Sequence, residues 1–148
     1  MSEQRIVVGV DGSQSSKAAL AWAIGQAELT DASVEAVMAW EYPISFAGVG
    51  YAPIGSVLGT DFAENAEQML GAAISETVDQ ASKIKVSATA REGNPARILL
   101  EAARGADLLV VGSRGHGGFT EALLGSVSQH CVYHAQCPVV IVRGRKDR

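Results

Sequence analysis

The sequence predicts an α/β fold, a single-domain doubly wound sheet of five parallel strands with helices on both faces. Three observations predict it. Short β-branched runs alternate with longer segments whose apolar residues recur at three- and four-residue steps. The short runs are apolar almost throughout, as strands covered on both faces must be. Enough chain separates successive runs for a crossover helix, which a parallel connection requires.

Ile6 to Val10 is the first strand, closed by Asp-Gly-Ser. Its unbroken apolarity makes it central. Ser15 or Ser16 can cap the helix that follows, whose Ala19, Leu20, Ala23, Ile24 and Ala27 form one small-residue face suited to close packing on a sheet. Val34 to Trp40 is the second strand. Residues 41–60 are punctuated by glycine and proline and read as a long loop. Trp40, Tyr42, Phe46 and Tyr51 in or beside it could pack that loop onto the domain or cover a bound ring. From Asp61 onward, Phe62, Ala66, Met69, Leu70, Ala73, Ile74, Thr77, Val78 and Ala81 give the strongest helical stripe of the chain.

Ile84 to Ala90 alternates well enough for the third strand. Asn94 and Pro95 then stand where an N-cap and a first helical residue belong, Ile98, Leu99 and Ala102 supply the buried face, and Gly105 can end the helix. Leu108 to Val111 is the fourth strand, Ser126 to Gln136 the last helix and Pro138 to Val142 the fifth strand. Residues 144–148 form a short polar tail.

The 148 residues are expected to form one domain, 1–148, in which roughly 70 % of the unfolded surface is buried. With three Phe, three Tyr and two Trp, the core must be aliphatic. A net charge of -4 argues against broad electrostatic attachment to nucleic acid or an anionic membrane, although one anion can still bind locally. The apolar run near the N-terminus is too short for a secretory core or a membrane span, so a cytoplasmic location is expected. Cys131 and Cys137 are too few for a disulfide framework and are expected to be reduced.

Five glycines, Gly112, Gly115, Gly117, Gly118 and Gly125, follow the fourth strand within fourteen residues. A P-loop is excluded, because no glycine precedes a Lys and hydroxyl pair. A dinucleotide fingerprint fails as well, since the third position counted from Gly115 and Gly117 is Thr120. What remains is Gly112-x-x-Gly115, nine residues, then Gly125-Ser126 opening a helix. Glycines there let the backbone turn tightly and aim N–H groups at an anion, and the first amides of a helix add to them. A flexible surface loop would need neither that spacing nor a serine at the helix start.

VGVDGS at positions 8 to 13, GSRG at 112 to 115, LLGSVS at 123 to 128 and CPVVIVR at 137 to 143 resemble the universal stress protein family, in its ATP-binding subgroup with the G-2x-G-9x-G-S pattern. The resemblance spans essentially the whole chain. It implies strand order 3-2-1-4-5, as in adenine nucleotide alpha hydrolase-like folds. It further implies that Asp11 lies by ribose and phosphates, that Ala39 offers backbone contacts to the base, and that Gly112, Gly115, Gly125, Ser126 and Val127 surround ribose and phosphates. Gly9, Val10, Ser13 and Val111 complete the candidate cofactor-binding set. Arg114 and His116 could cover the phosphates or face solvent. Asp11 could hold Mg²⁺ beside the phosphates, or be a solvated turn residue.

The implied function is an adenine-nucleotide-binding regulatory module in stress response. No general base pair, nucleophile triad or phosphate-loop lysine accompanies the glycines, so fast turnover is not expected. The alternatives are a slow ATP hydrolase or phosphotransferase using Asp11, Arg114 and His116, an AMP or cyclic AMP binder, or a nucleotide-free interaction protein. His130, Cys131, His134 and Cys137 invite a zinc reading. Small buried thiols and edge imidazoles explain them more simply, since Cys131 continues the buried stripe of Val127 and Ala135 while Cys137 begins a strand. The resemblance places the last strand at a sheet edge and implies a homodimer through Val139 to Val142.

Overall fold

The structure is a computed structural model that describes residues 3–41, 44–45, 52–53, 62–79, 82–114 and 124–144. In chain order the elements are β1 (Arg5–Gly9), α1 (Gln14–Thr30), β2 (Ser33–Trp40), β3 (Ile44–Ser45), β4 (Ala52–Pro53), α2 (Phe62–Thr77), β5 (Val86–Glu92), α3 (Pro95–Ala102), β6 (Leu108–Gly112), α4 (Ser126–His134) and β7 (Val139–Val142). The main sheet runs β5-β2-β1-β6-β7 with every pairing parallel, which is 3-2-1-4-5 when its own strands are counted. No helix among the described residues is long and apolar enough to cross a membrane.

The period-two alternation of each strand divides the core. Ile6, Val8 and Val10, Val34, Ala36 and Met38, and Val110 pack with the alanine face of α1 and with Ala66, Leu70 and Ala73 of α2. Val7, Val37, Leu109 and Val111 pack on the opposite face with Ile98 and Leu99 of α3 and Cys131 of α4. Both faces of β1 and β6 are therefore dry, which is why their sequences show no polar alternation.

Several boundaries differ from the sequence reading. Ser13 caps α1, its Oγ accepting from the Ser16 amide at 3.2 Å, while Ser15 and Ser16 lie buried inside the first turn. Gly12 adopts φ 85°, and this left-handed turn brings Ser13 rather than a later serine to the cap. Asn94 caps α3 as expected, with Pro95 next to it. Gly105, at φ 74°, lies in the turn after α3, whose cap is Ala103. α4 starts at Ser126 as expected, with Gly125 at the cap position and no side-chain cap bond, but ends at His134, two residues before Gln136. β5 begins two residues later than Ile84, and Met69 is 50 % exposed, whereas Ala66, Leu70 and Ala73 of the α2 stripe are buried and Ile74 and Val78 pack against the same core. Inside the expected 41–60 loop, β3 and β4 form a two-residue antiparallel ladder; the other residues from 42 to 60, Tyr42, Phe46 and Tyr51 among them, lie outside the described residues, as does the tail from 145.

Arg5 closes the amino-terminal edge of the sheet. Its guanidinium pairs with Glu35 of β2 at 2.8 Å and donates to the carbonyls of Ala102 (3.0 Å) and Arg104 (2.7 Å), which the end of α3 leaves without helical partners. Its amide donates to Asp107, and Glu35 takes a further bond from Thr89 of β5. One side chain so links three elements. Arg5→Met should lower unfolding free energy by about 1–3 kcal/mol, since it leaves a half-buried carboxylate and two carbonyls without this donor; urea denaturation with an unchanged midpoint would sink this assignment.

Candidate functional site

β1 lies between β2 and β6, and the chain reverses its winding there: α1 and α2 cover one face, α3 and α4 the other. Loops leaving neighbouring strands diverge at such a point and open a crevice beyond the carboxyl ends. A cleft with about 550 Å³ of empty space, open to solvent, lies here. Gly9, Val10, Asp11, Ala39, Val111, Gly112, Arg114 and Val127, all predicted from sequence, line it. Its walls also hold Ser16, Val37, Pro95, Leu99 and Ser128, which sequence reasoning missed. Val37 had a signal, since it shares a strand face with Ala39; Pro95 and Leu99 come from a helix that only the tertiary fold brings to this crevice.

One side is apolar, formed by Val37, Ala39, Pro95 and Leu99; the other carries Asp11, Ser16, Arg114 and Ser128. Hydrogen bonds hold the polar side. Asp11 is half-buried, and its Oδ1 accepts from the Ser13 amide at 2.9 Å and from the Ser13 hydroxyl. Its Oδ2 has no partner among the described residues. Ser16 Oγ accepts from the Asp11 amide at 3.2 Å and donates to the Ser13 carbonyl at 3.0 Å. Ser15 Oγ donates to the Arg114 carbonyl, and Ser128 Oγ donates to the Gly112 carbonyl. The turn after β1, the segment after β6 and the start of α4 thus form one hydroxyl-linked rim.

Gly112 and Gly125 also have partners within the fold. A Cβ on Gly112 would stand 2.7 Å from the Ser15 carbonyl carbon and 2.8 Å from the Ser16 amide nitrogen, so this glycine lets β6 meet the backbone of α1. The Gly125 amide donates to the Ser113 carbonyl at 2.7 Å and is not free for a ligand. Ser126 and Val127 open α4, where amides lack intrahelical acceptors. Val127 lines the cleft, whereas Ser126 is exposed beside it and Ser13 stands behind Asp11. Gly115 and His116 lie outside the described residues.

Among the described residues no group of three or more His, Cys, Asp or Glu is arranged to hold a metal. Cys131 is fully buried, and burial, with a smaller contribution from nearby Cys137, pushes its thiol up to about 11. Burial raises Cys137 as well. Burial thus disfavours the thiolate form of both cysteines in the metal-free chain.

A model described as the Universal stress protein family matches residues 3–143. A universal stress protein of Mycobacterium tuberculosis is 35% identical over 144 residues, covering 96% of this chain and 44% of its own length. The chain thus spans about half the length of the curated relatives it matches. Universal stress protein UspA from Lactobacillus plantarum superposes with a TM-score of 0.77 at 21% identity, covering 97% of this chain and all of that one. A universal stress protein solved in complex with cAMP superposes with a TM-score of 0.61 at 26% identity, covering 98% of this chain and 100% of its own.

The two strand-end glycines of the cleft should respond unequally to alanine. Gly9→Ala meets only the Leu99 side chain, which can rotate, whereas Gly112→Ala meets the backbone of α1. Gly112→Ala should cost at least about 1–3 kcal/mol and Gly9→Ala less. Thermal unfolding checks the order; equal losses would mean that β6 and α1 do not meet backbone to backbone.

Proposed function

Because the chain belongs to the universal stress protein family, we propose that it is a cytoplasmic adenine-nucleotide-binding module that acts through its bound state and its partners rather than by rapid turnover. The observation that carries this reading is the two-sided cleft at the winding reversal. Its apolar side, Val37, Ala39, Pro95 and Leu99, suits a flat base, and Asp11 on the facing side suits ribose hydroxyls. Arg114 and the leading amides of α4 suit phosphate. The Gly112, Gly115, Gly125-Ser126 spacing favours ATP, and the relative solved with cAMP supports an adenine nucleotide more broadly. Asp11 Oδ2 would hold Mg²⁺ beside the phosphates, where the ion would offset their charge.

Denaturing the purified protein and identifying the released small molecule by mass spectrometry tests the reading. ATP is expected; AMP or cyclic AMP would keep the module and change its nucleotide. Protein that releases no nucleotide and shows no calorimetric binding of one would defeat it. Asp11→Ala should weaken the nucleotide about tenfold or more while leaving the fold intact. Rapid phosphate release by wild type that Asp11→Ala abolishes would replace the module by a hydrolase.

The same family reading leads us to propose a homodimer through β7. β7 is an edge strand, and its outer backbone groups suit pairing with a second copy. Its side chains are committed elsewhere, with Val140 and Val142 packed on the α1 side of the sheet and Val139 and Ile141 on the α3 side. A glutamate at any of them would disturb the core, so assembly is better read from wild type. Light scattering at tens of micromolar should give twice the 15.4 kDa chain mass, and a monomer would remove the dimer.

A further inference from the structure

A second opening of about 890 Å³, continuous with solvent, lies between the outer faces of α3 and α4 and shares no lining residue with the cleft. Arg97, Glu101 and Arg104 line it from α3 and its following turn, and His130, His134 and Gln136 from α4 and beyond. Glu101 is the one carboxylate on its wall among the described residues. It already accepts from Arg97 at 3.2 Å and from Arg91 of β5 at 3.3 Å, so its charge is shared between two guanidinium groups. Arg104 has no ion-pair partner among the described residues, and the two imidazoles, at i and i+4, meet only each other there, with ring centroids 4.5 Å apart. The end of α3 would ordinarily oppose an anion through its exposed carbonyls. Here Arg5 covers those of Ala102 and Arg104. The side chains of the walls therefore offer hydrogen-bond donors and positive charge in excess of acceptors.

We propose that this groove between α3 and α4 is a binding site for a phosphate-class oxyanion, with Arg104 as its principal charged donor and His130, His134 and Gln136 as further donors. A multivalent oxyanion matches a planar guanidinium through paired N–H···O bonds and has acceptor oxygens left for the imidazoles and the amide. A metal cation fits worse, because Arg97 and Arg104 would repel it and only two imidazoles face it.

Titration of ¹⁵N-labelled protein with sodium pyrophosphate, at an ionic strength held constant with sodium chloride, reads the groove and the cleft separately. Saturable shifts are expected at the amides of Arg104, His130 and His134. Arg104→Gln, on an exposed turn, should weaken that binding by about tenfold and His130→Gln with His134→Gln should weaken it measurably, both retaining the dispersed spectrum of the folded chain. A parallel titration with AMP separates sources: groove shifts with AMP would mean that the phosphoryl group can arrive on a nucleotide, and shifts with pyrophosphate alone that it arrives free. Groove amides that do not saturate, that respond equally to chloride, or that bind as tightly in folded Arg104→Gln would overturn the proposal. Because cleft amides are read in the same spectra, failure here leaves the nucleotide reading to its own test.

Discussion

The backbone contact between Gly112 and the first turn of α1 governs the upper half of the molecule. β6 can end beside Ser15 and Ser16 only because position 112 has no Cβ. Once there, Ser15 can bond the Arg114 carbonyl, Ser128 can bond the Gly112 carbonyl, and the Gly125 amide can reach Ser113. Each of these bonds ties one more segment to the rim of the cleft. Packing and hydrogen bonds between segments far apart in the chain thus hold the described part of the walls.

The two ends of the sheet divide the work. At the amino-terminal end Arg5, Glu35, Thr89 and Asp107 satisfy one another and the end of α3. At the carboxyl end polar groups are only partly engaged: Asp11 uses one oxygen on Ser13, and the first amides of α4 have no helical acceptor. A parallel sheet makes this asymmetry natural, because every crossover helix begins at the carboxyl end and aims its positive pole there. The closed charged network therefore sits at one end of the strands and the open cleft at the other.

The fold was legible because burial on both faces leaves a strong mark. Runs such as Ile6 to Val10 and Leu108 to Val111 admit no reading but a covered strand once helices separate them. Helix ends were read less well. Five serines cluster near the starts of α1 and α4, and local propensity cannot tell which one caps; the left-handed Gly12 decided for Ser13 at α1, and Gly125 took the cap position at α4. The stripe of α2 was read one residue too wide, since Met69 has helical spacing but faces away from the sheet.

The sequence by itself determined the order of elements, their covered faces and the half of the cleft built at strand ends: Gly9, Val10, Asp11, Ala39, Val111 and Gly112 are each within a residue or two of an apolar run. Their place at strand ends follows from local pattern, because a strand's end is set by its own residues, and the family resemblance implied their part in a ligand site. Only the tertiary structure decided that Pro95, Leu99 and Ser128 join them, that Gly112 serves packing and that the Gly125 amide is already occupied. The physical reason is that pairing β1 with both β2 and β6 brings together segments far apart in the chain, and neither their meeting distance nor the use of their amides is encoded in the spacing of either segment alone.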